Sequence, residues 1–212
     1  MPNTVPSPAS LRFENIRRRF GRLAVLEGVS GEVASGGALL VTGRNGSGKS
    51  TLLRCLAGLL MPEAGSIHYI EDDKPLDIGA RRQRVGFISP DLSFYGELTV
   101  KENLAFFARL RRAELARGLE VLDRLSLPTD RLAANLSSGM RQRLRWGWAL
   151  MHRPRLLLLD EPFQNLDAAG ERITRELLRE HLSGGMAAGL AVIANPSSLE
   201  IDLVAGRLDL GR

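Results

Sequence analysis

The sequence contains one cysteine, Cys55, so no disulfide can form within the chain. It falls on the apolar side of a predicted helix, where it reads as a small buried hydrophobe, and a reducing compartment fits that usage. Lysine is almost as scarce. Lys49, Lys74 and Lys101 are the full set, and arginine supplies nearly all of the basic charge. The net charge of +5 is dispersed, with no long run of like charge, so no basic arm for nucleic acid or lipid stands out.

Long apolar runs are missing too. The longest, residues 186–194, falls well short of the roughly 20 residues needed to cross a bilayer. Any membrane role therefore has to pass through a partner. Residues 1–10 are rich in Pro, Ser and Thr and lack an apolar centre, so they read as a disordered tail and not as a signal peptide. Neither an internal repeat nor a low-complexity linker interrupts the 212 residues, a length that suits one domain.

What is present alternates. Residues 11–16 place apolar and polar side chains in turn, like a half-buried strand, and residues 23–33 continue in short strands broken by Gly28 and Gly31. Edge strands of an antiparallel sheet look like this. Three short runs are apolar throughout, at 38–41, 156–159 and 191–194, and suit parallel strands covered on both faces. Ile173, Leu177, Leu178 and Leu182 repeat at helical spacing. Buried strands alternating with amphipathic helices predict an α/β domain. Between about 92 and 151 the pattern is helical, which predicts a helical insert.

The strongest chemical signal is Gly43, Arg44, Asn45, Gly46, Ser47, Gly48, Lys49, Ser50 and Thr51, which fit G-x-x-x-x-G-K-[ST] between an apolar strand and a helix. The glycines let backbone amides turn inward on a phosphate. Lys49 can reach the outer phosphates, and the Ser50 hydroxyl can ligate Mg²⁺. The helix that follows directs its positive end at the anion. A second signal lies in R-L-L-L-L-D-E-P, where a buried strand ends in Asp160 and Glu161. Carboxylates at the C-terminal end of a parallel strand face the ligand crevice of such folds. One can hold Mg²⁺ and its neighbour can orient a water for attack on a γ-phosphate. Asp-Glu-Pro is also ordinary turn chemistry, and the phosphate loop upstream tips the balance toward function.

Leu136-Ser137-Ser138-Gly139-Met140 resembles the signature motif, L-S-G-G-Q, of the ATP-binding cassette (ABC) ATPases, and Asn165-Leu166-Asp167 resembles their D-loop. The resemblance covers the chain from Leu11 onward. It implies a P-loop NTPase (RecA-like) parallel-sheet core, an N-terminal antiparallel β subdomain and the α-helical insert, together one nucleotide-binding domain over 11–212. It implies ATP and Mg²⁺ as cofactors, with Phe20 against adenine, Ser50 and Asp160 on the metal, and Glu161 as the catalytic residue. Ser137, Ser138 and Gly139, at the start of a helix, would close over the ATP of a second ABC subunit packed head to tail, in a homodimer or heterodimer, and Asp167 joins the residues that bind the nucleotide. The implied partner is a transmembrane permease subunit, which places the chain at the cytoplasmic face of the membrane; no nucleic acid is expected.

Residues 97–104, E-L-T-V-K-E-N-L, are similar to an export-type pattern, and the compact length resembles the heme-exporter ATPases of cytochrome c maturation. Phe94 and Tyr95 are candidate permease contacts, or else pack within the insert.

The sequence departs from the family in places. Ser138 and Met140 replace Gly and Gln in the signature. Pro90 falls where a metal-sensing Gln is expected, with Asp91 the nearest substitute, and Asn195 falls where a histidine is expected. His68, His152 and His181 lie elsewhere and read as surface residues. The missing groups predict slow turnover. They leave open a weakly hydrolysing nucleotide-binding scaffold, and a soluble cassette outside transport is a further alternative.

Overall fold

The computed structural model describes residues 9–184, 188–195 and 204–211. The chain begins with β1 (Ser10–Phe20), β2 (Leu23–Ala34), β3 (Ala38–Thr42), α1 (Lys49–Leu56), β4 (Ala64–Glu71), β5 (Lys74–Pro75), α2 (Ile78–Arg84) and β6 (Val85–Ile88). It continues through α3 (Val100–Arg111), α4 (Leu115–Arg124), α5 (Ser138–Leu150), β7 (Leu156–Asp160), α6 (Ala168–Leu182), β8 (Leu190–Ala194) and β9 (Val204–Asp209).

The three continuous apolar runs became neighbours. β6, β7, β8, β3 and β9 lie side by side in that order, every adjacent pair parallel. The side-chain alternation of a strand divides each run between two cores. Leu157, Leu159, Ala191, Ile193, Ala38 and Leu40 pack toward the helical segment and α6. Leu156, Leu158, Leu190, Val192, Leu39 and Val41 pack toward α1 and the antiparallel sheet. All four leucines of β7 are fully buried, and each contributes about 2 kcal/mol of apolar transfer.

A second, antiparallel sheet has the order β2-β1-β4-β5. The expected breaks at Gly28 and Gly31 do not interrupt it: β2 is one strand. Gly28, at φ 84°, is skipped in the register between Val29 and Glu27, so it forms a bulge. Gly31 lies opposite Phe13, whose ring would stand 2.6 Å from any added Cβ. A side chain there would push out the ring that fills this core.

Helix ends follow local chemistry. Thr99 and Glu102 form a capping box that starts α3. Ser137 caps α5 by accepting from the Met140 amide, and Asp167 caps α6 by accepting from Gly170. Helices α3, α4 and α5 fall within the helical texture at 92–151.

Two expectations need correction. Ala9 is fully buried with its amide 2.7 Å from Ser35 Oγ, and β1 starts at Ser10, so a tail reaching residue 10 is too long; residues 1–8 lie outside the described residues, as do 186–187 of the longest apolar run. Two of the histidines are half-buried and not free surface residues. His152 lies near the Val85 carbonyl and Arg111, and burial lowers its pKa from the ordinary 6.5 to about 4. Burial does the same to His181, which faces the Leu190 carbonyl. Cys55 behaves as expected, fully buried with its thiol pushed up to about 11 by burial.

The histidine environments fix a sign. Both rings stay neutral in the folded chain, whereas the unfolded chain takes up a proton below about 6.5. Their contribution is complete above that pH and is lost as pH falls toward about 4. Thermal melts across this window are expected to show a falling midpoint, shallower in a His152→Gln variant. A packing test uses Gly86 of β6, where a Cβ would meet Ala149 O at 2.6 Å and Pro154 Cγ at 2.7 Å. Gly86→Ala is expected to cost about 1–3 kcal/mol in urea unfolding.

Candidate functional site

The parallel register sets the site. Asp160 pairs with Ala194, and Ala194 pairs with Val41. The ends of β7 and β3 therefore stand level with β8 between them, about 10 Å apart at ordinary strand spacing. The chain leaves β3 into the phosphate loop and leaves β7 into Glu161, and both loops rise from the same edge of the sheet. Asn195, at the end of β8, lies between them and donates its amide to Val41 O at 3.1 Å.

The loop takes the shape that its glycines allow. Gly43, Gly46 and Gly48 have φ of 138°, 84° and 102°. A Cβ at Gly48 would stand 2.8 Å from Val25 O, so β2 is pressed against the loop there. A Cβ at Gly43 would stand 2.6 Å from Ser47 Oγ. That hydroxyl is buried and, among the described residues, without a hydrogen-bond partner. The Lys49 ammonium is also buried, donating to Gly43 O at 2.7 Å and Arg44 O at 3.0 Å. Arg44, Asn45 and Gly46 are exposed at the mouth, and α1 follows directly through Lys49, Ser50 and Thr51. A buried cation, an unpaired hydroxyl and a helix N-terminus converging on one small loop make an anion site.

Across from it, Asp160 is buried, and the Ser50 side chain lies close enough to favour its charged form. Desolvation raises its pKa; the neighbouring Glu161 carboxylate adds to the rise, while Ser50 and Lys49 oppose it. A carboxylate kept costly and dry beside a hydroxyl is a hard-oxygen pair that suits Mg²⁺. Glu161 lies at φ 49°, an uncommon backbone for a residue with a side chain. Its amide donates to Ala194 O at 2.9 Å, and Gln164 Nε2 donates to its Oε2 at 2.7 Å.

The structure thus brings together the loop, Ser50, Asp160 and Glu161. It does not bring in every predicted residue. Phe20 sits 48% exposed at the tip of the β1–β2 hairpin, with Arg18 over its ring. Among the described residues no hydrogen bond joins Ser137, Ser138 or Gly139 to residues 43–51. A Cβ at Gly139 would instead stand 2.5 Å from Asn165 O. The Asp167 carboxylate is committed to the Gly170 amide and Arg143, which hold it below the usual carboxylate range. Asp91 is ion-paired with Arg54 of α1 and mostly exposed, so its carboxylate serves that pair.

Sequence reasoning missed Gln164, and it missed the inner face of α5. There Gln142 Nε2 donates to Pro162 O at 2.8 Å and Glu161 O at 3.3 Å, and Trp146 Nε1 donates to Pro162 O at 3.0 Å. The stretch R-Q-R-L carries no motif that names these roles. Their only local signal is a glutamine on the side of a helix that otherwise buries apolar residues.

Beside β6 lies a groove lined by Leu59, Phe87, Leu92 and Trp148, with Arg54, Asp91 and Arg111 at its rim. Near it, Tyr95 is half exposed against Phe106, while Phe94 packs edge-on to Phe107. Of the two expected contacts, Tyr95 is the more exposed and Phe94 is partly buried. Among the described residues no helix is long and apolar enough to cross a membrane.

Comparison with known proteins agrees with this geometry. A family described as "ABC transporter" matches residues 26–164. The sulfate/thiosulfate import ATP-binding protein CysA of Bradyrhizobium diazoefficiens is 40% identical over 180 residues, covering 80% of this chain and 52% of that protein. The CysA protein of Caulobacter vibrioides is 37% identical over 188 residues, covering 84% and 55%. The chain spans about half the length of both relatives. A solved putative ABC transporter (ATP-binding protein) from Pyrococcus furiosus has a TM-score of 0.77 at 20% identity, over 95% of this chain and 97% of that one. An ATP-binding cassette solved in its ADP conformation has a TM-score of 0.67 at 27% identity, over 91% and 83%.

The raised pKa of Asp160 has a measurable sign. At neutral pH its buried charge opposes folding, so Asp160→Asn is expected to raise the melting temperature of the nucleotide-free chain. The same change is expected to remove the Mg²⁺-dependent part of the stabilisation that ATP gives. Paired melts with ATP plus EDTA and ATP plus Mg²⁺ check both halves.

Proposed function

The chain belongs to the ABC transporter family of ATP-binding domains, and on that premise we propose that it is the ATP-hydrolysing subunit of a membrane transporter. The observation that carries this reading is the convergence of Ser50, at the mouth of the phosphate loop, and the buried Asp160 on the same level edge of the sheet.

The reading assigns each side chain a task. Loop amides and Lys49 bind the triphosphate, Lys49 exchanging the carbonyls of Gly43 and Arg44 for phosphate oxygens. Ser50 and Asp160 hold Mg²⁺, which supplies charge neutralisation at the phosphate oxygens when bound. Glu161, steadied by Gln164, orients the attacking water. Phe20 offers an exposed ring for adenine.

Ser137, Ser138 and Gly139 stay apart from this loop and close over the nucleotide of a second subunit. The open groove beside Tyr95 takes the transmembrane permease, which keeps the chain at the cytoplasmic face of the membrane. An apolar groove of this kind favours a transport role over a soluble cassette. The export direction read from residues 97–104, and with it the heme-exporter likeness, is not carried further, because both relatives named above bear import names. The cargo belongs to the permease.

A weakly hydrolysing scaffold keeps one observation in its favour: Pro90 and Asn195 stand where a metal-sensing Gln and a histidine are expected. Two measurements separate the readings. Glu161→Gln is expected to abolish phosphate release while leaving MgATP affinity intact by calorimetry; unchanged release would remove Glu161 from the chemistry. Asn195→His is expected to raise kcat about tenfold or more, within the roughly 10²–10³ that one polar group aimed at developing charge can supply. A parent rate typical of intact cassettes, unmoved by that change, would end the slow-turnover reading.

A further inference from the structure

Two turns leave neighbouring strands at the same edge of the sheet. One follows β6 through Ser89, Pro90 and Leu92 and forms a wall of the groove. The other follows β7 through Glu161 and Pro162. Neither proline has an amide hydrogen to donate, and the carbonyl of each accepts from α5. There Arg145 donates to Pro90 O at 2.7 Å and Leu92 O at 3.2 Å. The same guanidinium donates to Gln142 Oε1 at 2.9 Å. Gln142 Nε2 then donates to Pro162 O and Glu161 O.

The polarity of this chain of bonds is fixed. Arginine only donates, so Gln142 must turn its oxygen toward Arg145 and its nitrogen toward the carbonyls. Gln142 is 3% exposed, so no water replaces a lost partner cheaply. Pro90 itself has no side chain that can ligate, so whatever its turn communicates runs through main-chain carbonyls.

We propose that Arg145 and Gln142 form a positioning relay, in which movement of the Pro90 turn at the groove is passed to the peptide of Glu161 and so to its carboxylate. The relay rests on the ATPase reading above. It acts on the orientation of Glu161 and leaves the phosphate loop alone, so it governs the chemical step and not nucleotide affinity.

Steady-state hydrolysis of MgATP by the full chain tests it. Arg145→Ala and Gln142→Leu are each expected to lower kcat about tenfold with KM within about twofold of the parent. The double variant is expected to be no slower than the slower single, because both changes cut one path. Gln142→Glu, which keeps the Arg145 contact but cannot donate to the carbonyls, is expected to fall with the leucine variant, and Arg145→Lys to recover part of the rate. These conservative changes carry the test should the larger ones unfold the chain. An unchanged kcat, a rise in KM alone, or losses that multiply in the double variant would each overturn the relay. Failure of the parent chain to bind MgATP by calorimetry, or binding with no phosphate release, would instead overturn the ATPase reading.

Discussion

The structure depends on a level meeting of three strand ends. β7, β8 and β3 run parallel and in register, so that Asp160, Ala194 and Val41 stand in one row. Parallel pairing buried on both faces demands continuous apolar runs, and those runs hold the row rigid. Ser50 then meets Asp160 across one intervening strand. A shift of a single residue in any of the three strands would turn side chains to the wrong face and separate the pair.

Much of this could be read along the chain because the signals are local. The phosphate loop packs its glycines, lysine and serine into nine consecutive positions, and the run before Asp160 is apolar without a break. What could not be read depends on distant partners. Gly28 and Gly31 looked like strand breaks because the pairing that makes Gly28 a bulge and the Phe13 ring that crowds Gly31 both belong to another strand, β1. His181 looked like a surface residue because the carbonyl facing it belongs to β8.

The site shows the same division. Lys49, Ser50, Asp160 and Glu161 came from motifs, whereas Gln164, Gln142 and Arg145 are visible only through their bonds. Asp91 and Asp167 show the converse. Sequence offered both as functional carboxylates, and the fold commits one to Arg54 and the other to the cap of α6.

The arginine excess takes on a different meaning in three dimensions. Arg18, Arg82, Arg111, Arg141, Arg143 and Arg145 each donate to a main-chain oxygen of another segment or turn. A forked, planar donor suits that work better than an ammonium does. These contacts join a charge to a dipole and not a charge to a charge, so added electrolyte has little opposite charge to screen. Part of the basicity of the chain is thus internal stitching, and these contacts, unlike the arginine–carboxylate pairs on the surface, hold as ionic strength rises.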